Sequence, residues 1–447
     1  MKQQHAFVLG VIIAASITAL AASSLAEGPP RKPPATASKQ FIATMQDLAA
    51  ARPAISKRAN DLLAQRYDLS GKVDPSLRMS GGKKPVPVGP TARLKGISWD
   101  ELAALPPDQI KRRGVFPYLP MTHPLEPGGG GMVFPPSQLR SHPELDRVDV
   151  GFDIPDAYLP EFPPPLFLTT HPQLGDVSRG QEITVDNYYA LLAGVLAPLQ
   201  LDGLRLLVTT FPTQQFNQTE ERVTWESSNG ASCFSCHING HTTGQFHRAP
   251  DLRPTPDRTR LETPTLRGMF VQRTFGSKRN IRTLEDFTEV EANTAYFDGD
   301  DSLAQRKGAR HFSRPEVAAM SAFQNIIDLP PAPKLLPTGD LDRAQATPAE
   351  LRGEALFQGK ARCSICHPGE YSTDNLSHDL RVERFYSGRA EGIFKTFSLR
   401  GIKDSPPYLH DGRLLTLEDT VEFFNVVLGT KLSTAEKRDV VAYLRVL

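Results

Sequence analysis

"RCSICHPGEY" (362–371) carries the same Cys-x-x-Cys-His signature as "SCFSCHINGH" (232–241). The two copies hold every cysteine of the 447-residue chain: Cys233, Cys236, Cys363 and Cys366. Two thiols three positions apart can each form a thioether to one vinyl group of a haem, and the histidine that follows supplies the proximal nitrogen to iron. Paired cysteines also build zinc sites and redox dithiols. A four-cysteine zinc site, however, leaves His237 and His367 unexplained. The pattern predicts two covalently bound c-type haems, with His237 and His367 as proximal ligands.

Outward from the motifs, "TPTLRGMFVQRTFGSKRNIRTLED" (263–286) follows the first copy and "TFSLRGIKDSPPYLHDGRLLTLED" (396–419) the second. Thr263, Leu266, Arg267 and Gly268 match Thr396, Leu399, Arg400 and Gly401. Thr283-Leu284-Glu285-Asp286 matches Thr416-Leu417-Glu418-Asp419 at the same offset, without a gap. One unit has been written twice, and two copies this long exclude a solenoid.

The length suffices for a large core and two or three domains. A formal charge of +1 gives no reason to expect a nucleic-acid partner. Lys2, the apolar run "AFVLGVIIAASITALAA" (6–22) and "SLA" (24–26) have the layout of a secretory signal peptide cleaved near Ala26, with Ala19-Leu20-Ala21 as a second candidate site. The run barely reaches the ~18 residues a membrane span needs, and no comparable run follows. The expectation is an exported, periplasmic chain that does not span a membrane once the signal is removed. Four cysteines in an exported chain ordinarily read as two disulfides; the histidine after each pair turns the reading to haem.

Within the Pro/Gly-rich segment 27–180, "EGPPRKPPATAS" (27–38) is expected to be a disordered leader, and 75–180 is dense in Pro and Gly, as in "GGKKPVPVGP" (81–90) and "EFPPPLF" (161–167). Such stretches wrap over a surface in extended and turn conformations. A helix is expected at about 40–66, and His123, His142 and His171 read as structural. "TVDNYYALLAGVL" (184–196) has one apolar helical face. The helix capped by Thr347, with Pro348 and Glu350, is expected to run straight into the second attachment site. Two more helices follow, over 416–429 up to Gly429 and over 432–447 behind a Ser433/Glu436 capping box. The fold class is mainly α: signal peptide 1–26, wrapping segment 27–180, and two tandem cytochrome-c-like haem domains at 181–345 and 346–447.

"LFQGKARCSICH", "YSTDNLSHDL", "FKTFSLRGIKDSPPYLHDGRLLTLED" and "LSTAEKRDVVAYLRVL" closely resemble the C-terminal half of bacterial dihaem cytochrome c peroxidases and their MauG-type relatives. The resemblance covers roughly 180–447 and is most specific in the last 100 residues. It implies a haem in each of two packed domains. One iron reacts with hydrogen peroxide, and the other receives electrons from a small c-type cytochrome or cupredoxin. A calcium ion between the domains, and a homodimer, are further implications. The departures are specific. The C-terminal copy keeps His410-Asp411-Gly412, whereas Ser277, Lys278 and Arg279 stand at the aligned N-terminal positions. The tryptophan often found between the haems aligns near Gly276. The sixth ligand, Met or Tyr in the family, aligns with Phe424, and no Met follows Met320.

For the first iron, His241 and His247 are candidate distal ligands, or else surface histidines. For the second, His378 and His410 are candidates, though His410 and Asp411 would equally suit a propionate-orienting pair. Arg267 and Arg400 could meet haem propionates or form structural ion pairs. A base for peroxide cleavage is sought among Glu285, Glu289 and Glu291. Glu289 is the choice, against a solvated acidic face, and His247 and His410 are the other catalytic candidates. "FDGDD" (297–301) could give calcium its oxygen ligands or form an Asp-rich turn. Three functions follow: a periplasmic dihaem peroxidase, with peroxide met at His237 and electrons relayed at His367; a MauG-like oxidase or oxygenase; and a non-enzymatic dihaem electron carrier.

Overall fold

The computed structural model describes residues 38–126, 130–210, 231–248, 259–278, 281–295 and 311–447. The signal peptide, most of the leader, Arg279 and the Asp-rich stretch 297–301 lie outside the described residues. The leading portion supplies α1 (Ser38–Arg66), the hairpin β1 (Val73–Arg78)–β2 (Pro85–Pro87), α2 (Trp99–Ala104), α3 (Pro107–Arg113) and α4 (Pro136–Leu139). Then come α5 (Tyr188–Leu192), α6 (Pro198–Val208), α7 (Cys233–Cys236), the hairpin β3 (Phe246–Arg248)–β4 (Arg260–Glu262), α8 (Leu284–Glu289) and α9 (Arg314–Gln324). The last portion holds α10 (Pro348–Gln358), the hairpin β5 (Ser377–Asp379)–β6 (Ile393–Lys395), α11 (Leu417–Leu428) and α12 (Thr434–Leu444). Among the described residues the named strands form two-stranded antiparallel sheets only, and helices dominate.

Two expectations differ in detail. The stretch 184–196 is helical only over α5, because Pro198 holds Ala197 extended (ψ 153) and starts a new helix. The helix before the second motif stops at Gly359. The chain then turns through Arg362, which is left-handed at φ 62, before Cys363.

From α6 onward one succession of elements occurs twice. A proline-opened helix (α6; α10) precedes the cysteine motif, and an antiparallel hairpin (β3–β4; β5–β6) follows it. Next come a left-handed glycine (Gly268, φ 74; Gly401, φ 72) and an isolated antiparallel bridge (Phe275–Ile281; Tyr408–Leu414). A threonine-capped helix (α8; α11) and a closing helix (α9; α12) end each copy. Thr283 Oγ1 accepts from Asp286 N and Thr416 Oγ1 from Asp419 N, at 3.0 Å in both. In each copy the first helix crosses the last at a glycine. A Cβ on Gly203 would stand 1.9 Å from the Ala319 carbonyl oxygen, and one on Gly353 would stand 2.0 Å from that of Asp439. Hydrogen alone fits at either crossing.

The two copies also bond to each other reciprocally. Glu262 N donates to the His410 carbonyl (2.7 Å), and Lys395 N donates to the Ser277 carbonyl (3.0 Å). Glu262 and Lys395 hold equivalent positions in the repeat, as do Ser277 and His410. This is the pattern of an isologous two-fold contact.

Among the described residues the leading segment has no core cluster to itself. Tyr67, Leu102, Phe116, Tyr118 and Tyr158 share one apolar cluster with Phe385, Leu414, Phe423 and Val441. Polar groups fix it in place. Asp419 accepts from Thr91 N (2.9 Å), Thr91 Oγ1 (2.6 Å), Ala92 N (3.2 Å) and Tyr118 OH (3.1 Å). A second cluster, with Leu204, Phe234, Met320 and Phe323, fills the earlier copy.

Candidate functional site

Each cysteine pair is brought to one face by a single turn of helix. Cys233–Cys236 forms α7, where residues three apart are neighbours. Cys363–Ile365 is a 3-10 turn, in which such residues eclipse. Ser232 caps α7 by accepting from Ser235 N (3.0 Å). The four thiols are free, with no disulfide between them. Burial pushes Cys233 and Cys363 up to about 12 and raises Cys236 and Cys366 as well. In neither copy does a further cysteine join the pair, and each pair is followed directly by its histidine. The pairs fit thioether attachment.

The two histidines are both buried beside a backbone carbonyl, but only one closes a hydrogen bond to it. His367 Nδ1 donates to the Ser372 carbonyl oxygen at 2.9 Å, which leaves the Nε2 lone pair free for a metal. Burial lowers His367, opposed by the Ser372 and Phe397 carbonyls. Burial takes His237 to about 4, with the Pro264 carbonyl opposing it. Pro264 and Phe397 stand at equivalent positions of the repeat. His237 Nδ1 is buried and closes no hydrogen bond of normal geometry. A buried imidazole kept neutral fits a haem-iron ligand, and His367 in addition has one nitrogen oriented and the other unused.

The surroundings of the motifs differ. Met132 and Phe134 pack on Cys236, and Gln138 Nε2 donates to the Ser235 carbonyl oxygen at 2.6 Å, so the leading segment covers the first motif. At the second, Ile365 is 61% exposed and Leu376 60%.

The other predicted residues separate on inspection. His241 is buried with Nδ1 at 2.8 Å from Thr265 Oγ1 and Nε2 at 3.0 Å from the Asp404 carbonyl oxygen. Both ring nitrogens are taken, so this arrangement offers iron no lone pair. His247 lies in the middle of β3 opposite Leu261, and His378 in the middle of β5 opposite Phe394, the equivalent place in the other copy. His378 Nε2 is 2.7 Å from Asp374 Oδ2, and these two gather with Cys366. His410 stacks on Phe394 at 3.8 Å between centroids, with Nε2 at 3.5 Å from Glu391 Oε2. Burial takes His410 down to about 4 against the opposing Asp411. Phe424 is half-buried against Phe423.

Arg267 is engaged by Asp404 (3.1 Å) and by the Pro165 carbonyl (2.6 Å), the structural ion pair that competes with propionate binding. Arg400 Nε donates instead to the Leu447 carbonyl (3.1 Å). Glu289 pairs with the exposed Arg314 at 2.8 Å, at the end of α8, as on a solvated acidic face. Glu291 lies near enough to Cys233 to raise it. His123, Nε2 at 3.0 Å from the Gly131 carbonyl, and His142, between Glu144 and Glu182, hold loops together.

One network has little signature in the sequence. Arg413, fully buried, bridges Asp411 (2.7 Å) and Glu391 (2.7 Å). Tyr386 OH donates to Glu391 (2.7 Å), and Met121 N donates to Asp411 (2.8 Å). Burial raises the Asp411 carboxyl, but Arg413 and His410 outweigh it and hold the group at about 2. The short spacing of Asp411 and Arg413 was the one available signal.

No family model matches the chain. It is 33% identical over 164 residues to the methylamine utilization protein MauG of Methylorubrum extorquens, covering 31% of this chain and 44% of that protein. It is 29% identical over 157 residues to the cytochrome-c peroxidase IdrP1 of Denitromonas iodatirespirans (24% and 42%). It is 31% identical over 113 residues to the cytochrome c551 peroxidase of Nitrosomonas europaea (22% and 34%). The chain thus spans less than half the length of these relatives. A solved MauG-like protein associated with microbial copper homeostasis aligns over 57% of this chain and 90% of its own, with 20% identity and a TM-score of 0.40.

Proposed function

We infer that this chain, whose relatives support membership of the MauG and dihaem cytochrome c peroxidase family at modest identity, is an exported oxidoreductase with a haem on each Cys-x-x-Cys-His motif. Among the described residues no helix is long and apolar enough to cross a membrane. A haem c supplies one-electron chemistry and, at an open position, peroxide reduction. The protein's part is to hold each iron through His237 or His367, to orient the His367 imidazole through the Ser372 carbonyl, and to control access.

The observation that carries the reading is the unequal cover of the two motifs. Met132, Phe134 and Gln138 close over the first, whereas Ile365 and Leu376 leave the second edged by exposed apolar side chains. A covered site excludes water from the reacting centre, and an exposed apolar edge suits contact with a small c-type cytochrome or cupredoxin. Peroxide is therefore assigned to the His237 side and electron entry to the His367 side. Glu291, whose charge acts on Cys233, joins Glu289 as an acid–base candidate. The MauG-like alternative, oxidation of a protein side chain or organic substrate, is favoured by Phe424 at the place of the family's Met or Tyr ligand. Low-temperature EPR of the oxidised and one-electron-reduced holoprotein tests both. A high-spin ferric signal in either state supports an enzyme, whereas two low-spin haems in both states leave only an electron carrier.

A further inference from the structure

Lys395 is buried on β6, yet among the described residues its ammonium meets no carboxylate. Nζ donates to Gln272 Oε1 and to the Thr274 carbonyl oxygen, both in the other copy of the repeat. The rings of Phe275 and Phe397 lie 5.7 and 5.5 Å from it. Burial alone acts on its acidity, taking it down to about 8. A buried cation without a counter-charge is costly, and such groups are ordinarily paired. An ammonium has three donors; two are spent on neutral oxygens. The neighbouring backbone leads to the second motif. Thr396 N donates to the Leu376 carbonyl (2.8 Å), Thr373 Oγ1 donates to the Thr396 carbonyl (2.8 Å), and the Phe397 carbonyl acts on His367. Glu262, at the equivalent position of the first copy, has a carboxyl instead, pushed well up by burial, and accepts from Thr242 Oγ1 (2.9 Å).

We propose that Lys395 is the counter-cation of a propionate of the haem carried by Cys363 and Cys366, its third N–H donating to that carboxylate. The proposal rests on the haem reading above. Its role is positioning and electrostatic: a positive charge beside the macrocycle favours ferrous over ferric iron, so this residue raises that haem's reduction potential in the absence of a methionine ligand.

Optical redox titration of wild-type, K395M and K395R holoproteins tests it, with haem counted by the pyridine haemochrome. K395M should keep two haems and move one midpoint so that the ferric-to-ferrous ratio rises about tenfold at fixed potential, about 59 mV for a one-electron couple. K395R should stay within twofold of wild type. Two haems with both midpoints unmoved in K395M overturn the assignment. A wild-type protein without two haems overturns the haem reading itself, and the haemochrome tells the two failures apart. Should K395M not fold, K395R decides: a guanidinium in place of an ammonium must shift the propionate bending band in the resonance Raman spectrum, and an unmoved band refutes the contact.

Discussion

Replacing Gly353 by Ala puts a methyl group where α10 crosses α12. The new Cβ would lie 2.0 Å from the Asp439 carbonyl oxygen and 2.8 Å from Tyr443 Cβ. Ordinary contact begins near 3.4 Å, so the helices must part by about 1.4 Å. Both obstacles belong to a helix backbone or its first side-chain atom and cannot swing aside. Overpacking of this kind costs about 1–3 kcal/mol, and the backbone clash puts G353A at the upper end. Alanine returns about 1 kcal/mol through its better helix propensity. The net loss is about 2 kcal/mol, which at an m-value of about 3 kcal/mol/M lowers the urea midpoint by roughly 0.7 M. G203A, facing the Ala319 carbonyl at 1.9 Å, should behave alike. G194A, with nothing within 4 Å, should not weaken the protein. Urea unfolding of the three holoproteins by far-UV circular dichroism gives the answer. Because α10 leads into Cys363, the G353A protein should also show less haem on its second motif. A G353A midpoint equal to that of G194A would refute the crossing geometry.

Asp419→Ala strips the acceptor from Thr91, Ala92 and Tyr118. With about 1–3 kcal/mol for each buried donor left unpaired, limited proteolysis should release the segment before residue 120 earlier than in wild type. Arg267→Met leaves Asp404 buried without its cation, a loss of about 3–5 kcal/mol that differential scanning calorimetry should register as a lower melting temperature. Asp411, folded at about 2 against an ordinary 3.8, binds its proton more weakly in the native state. Its contribution is complete above pH 3.8 and disappears as pH falls toward 2. Asp411→Asn should accordingly flatten the acid limb of stability across that window, where about 2 kcal/mol is at stake. Cys363→Ser with Cys366→Ser should halve the haemochrome content, whereas unchanged content would remove the second motif from the haem reading.

The helices were legible where a cap announces them. Thr347 with Glu350 and Ser433 with Glu436 are local pairs, and both form capping boxes in the structure. The duplication was legible because its marks (Leu-Arg-Gly, Thr-Leu-Glu-Asp) are spaced without gaps. What escaped was long-range. Asp404 takes Arg267 from 137 residues away, and no local pattern foretells such a partner. His241 looked like a loop histidine available to iron, yet Thr265 and a carbonyl from the other copy occupy it. The prolines of the leading segment suggested a wrapping without a core of its own, but not which side chains anchor it: Tyr67, Tyr118 and Tyr158 are almost wholly buried in the core they share with the C-terminal copy.

Reciprocal bonding of Glu262 to His410 and of Lys395 to Ser277 has an evolutionary corollary. Two identical subunits meeting on a two-fold axis must show the same residue at both mates: acid opposite acid or base opposite base. A tandem chain is released from that rule. Its halves can keep the shared backbone contacts and still come to differ in side chain at equivalent positions. Here they differ as a glutamate on one side and a lysine on the other, an asymmetry no homodimer of either half could hold.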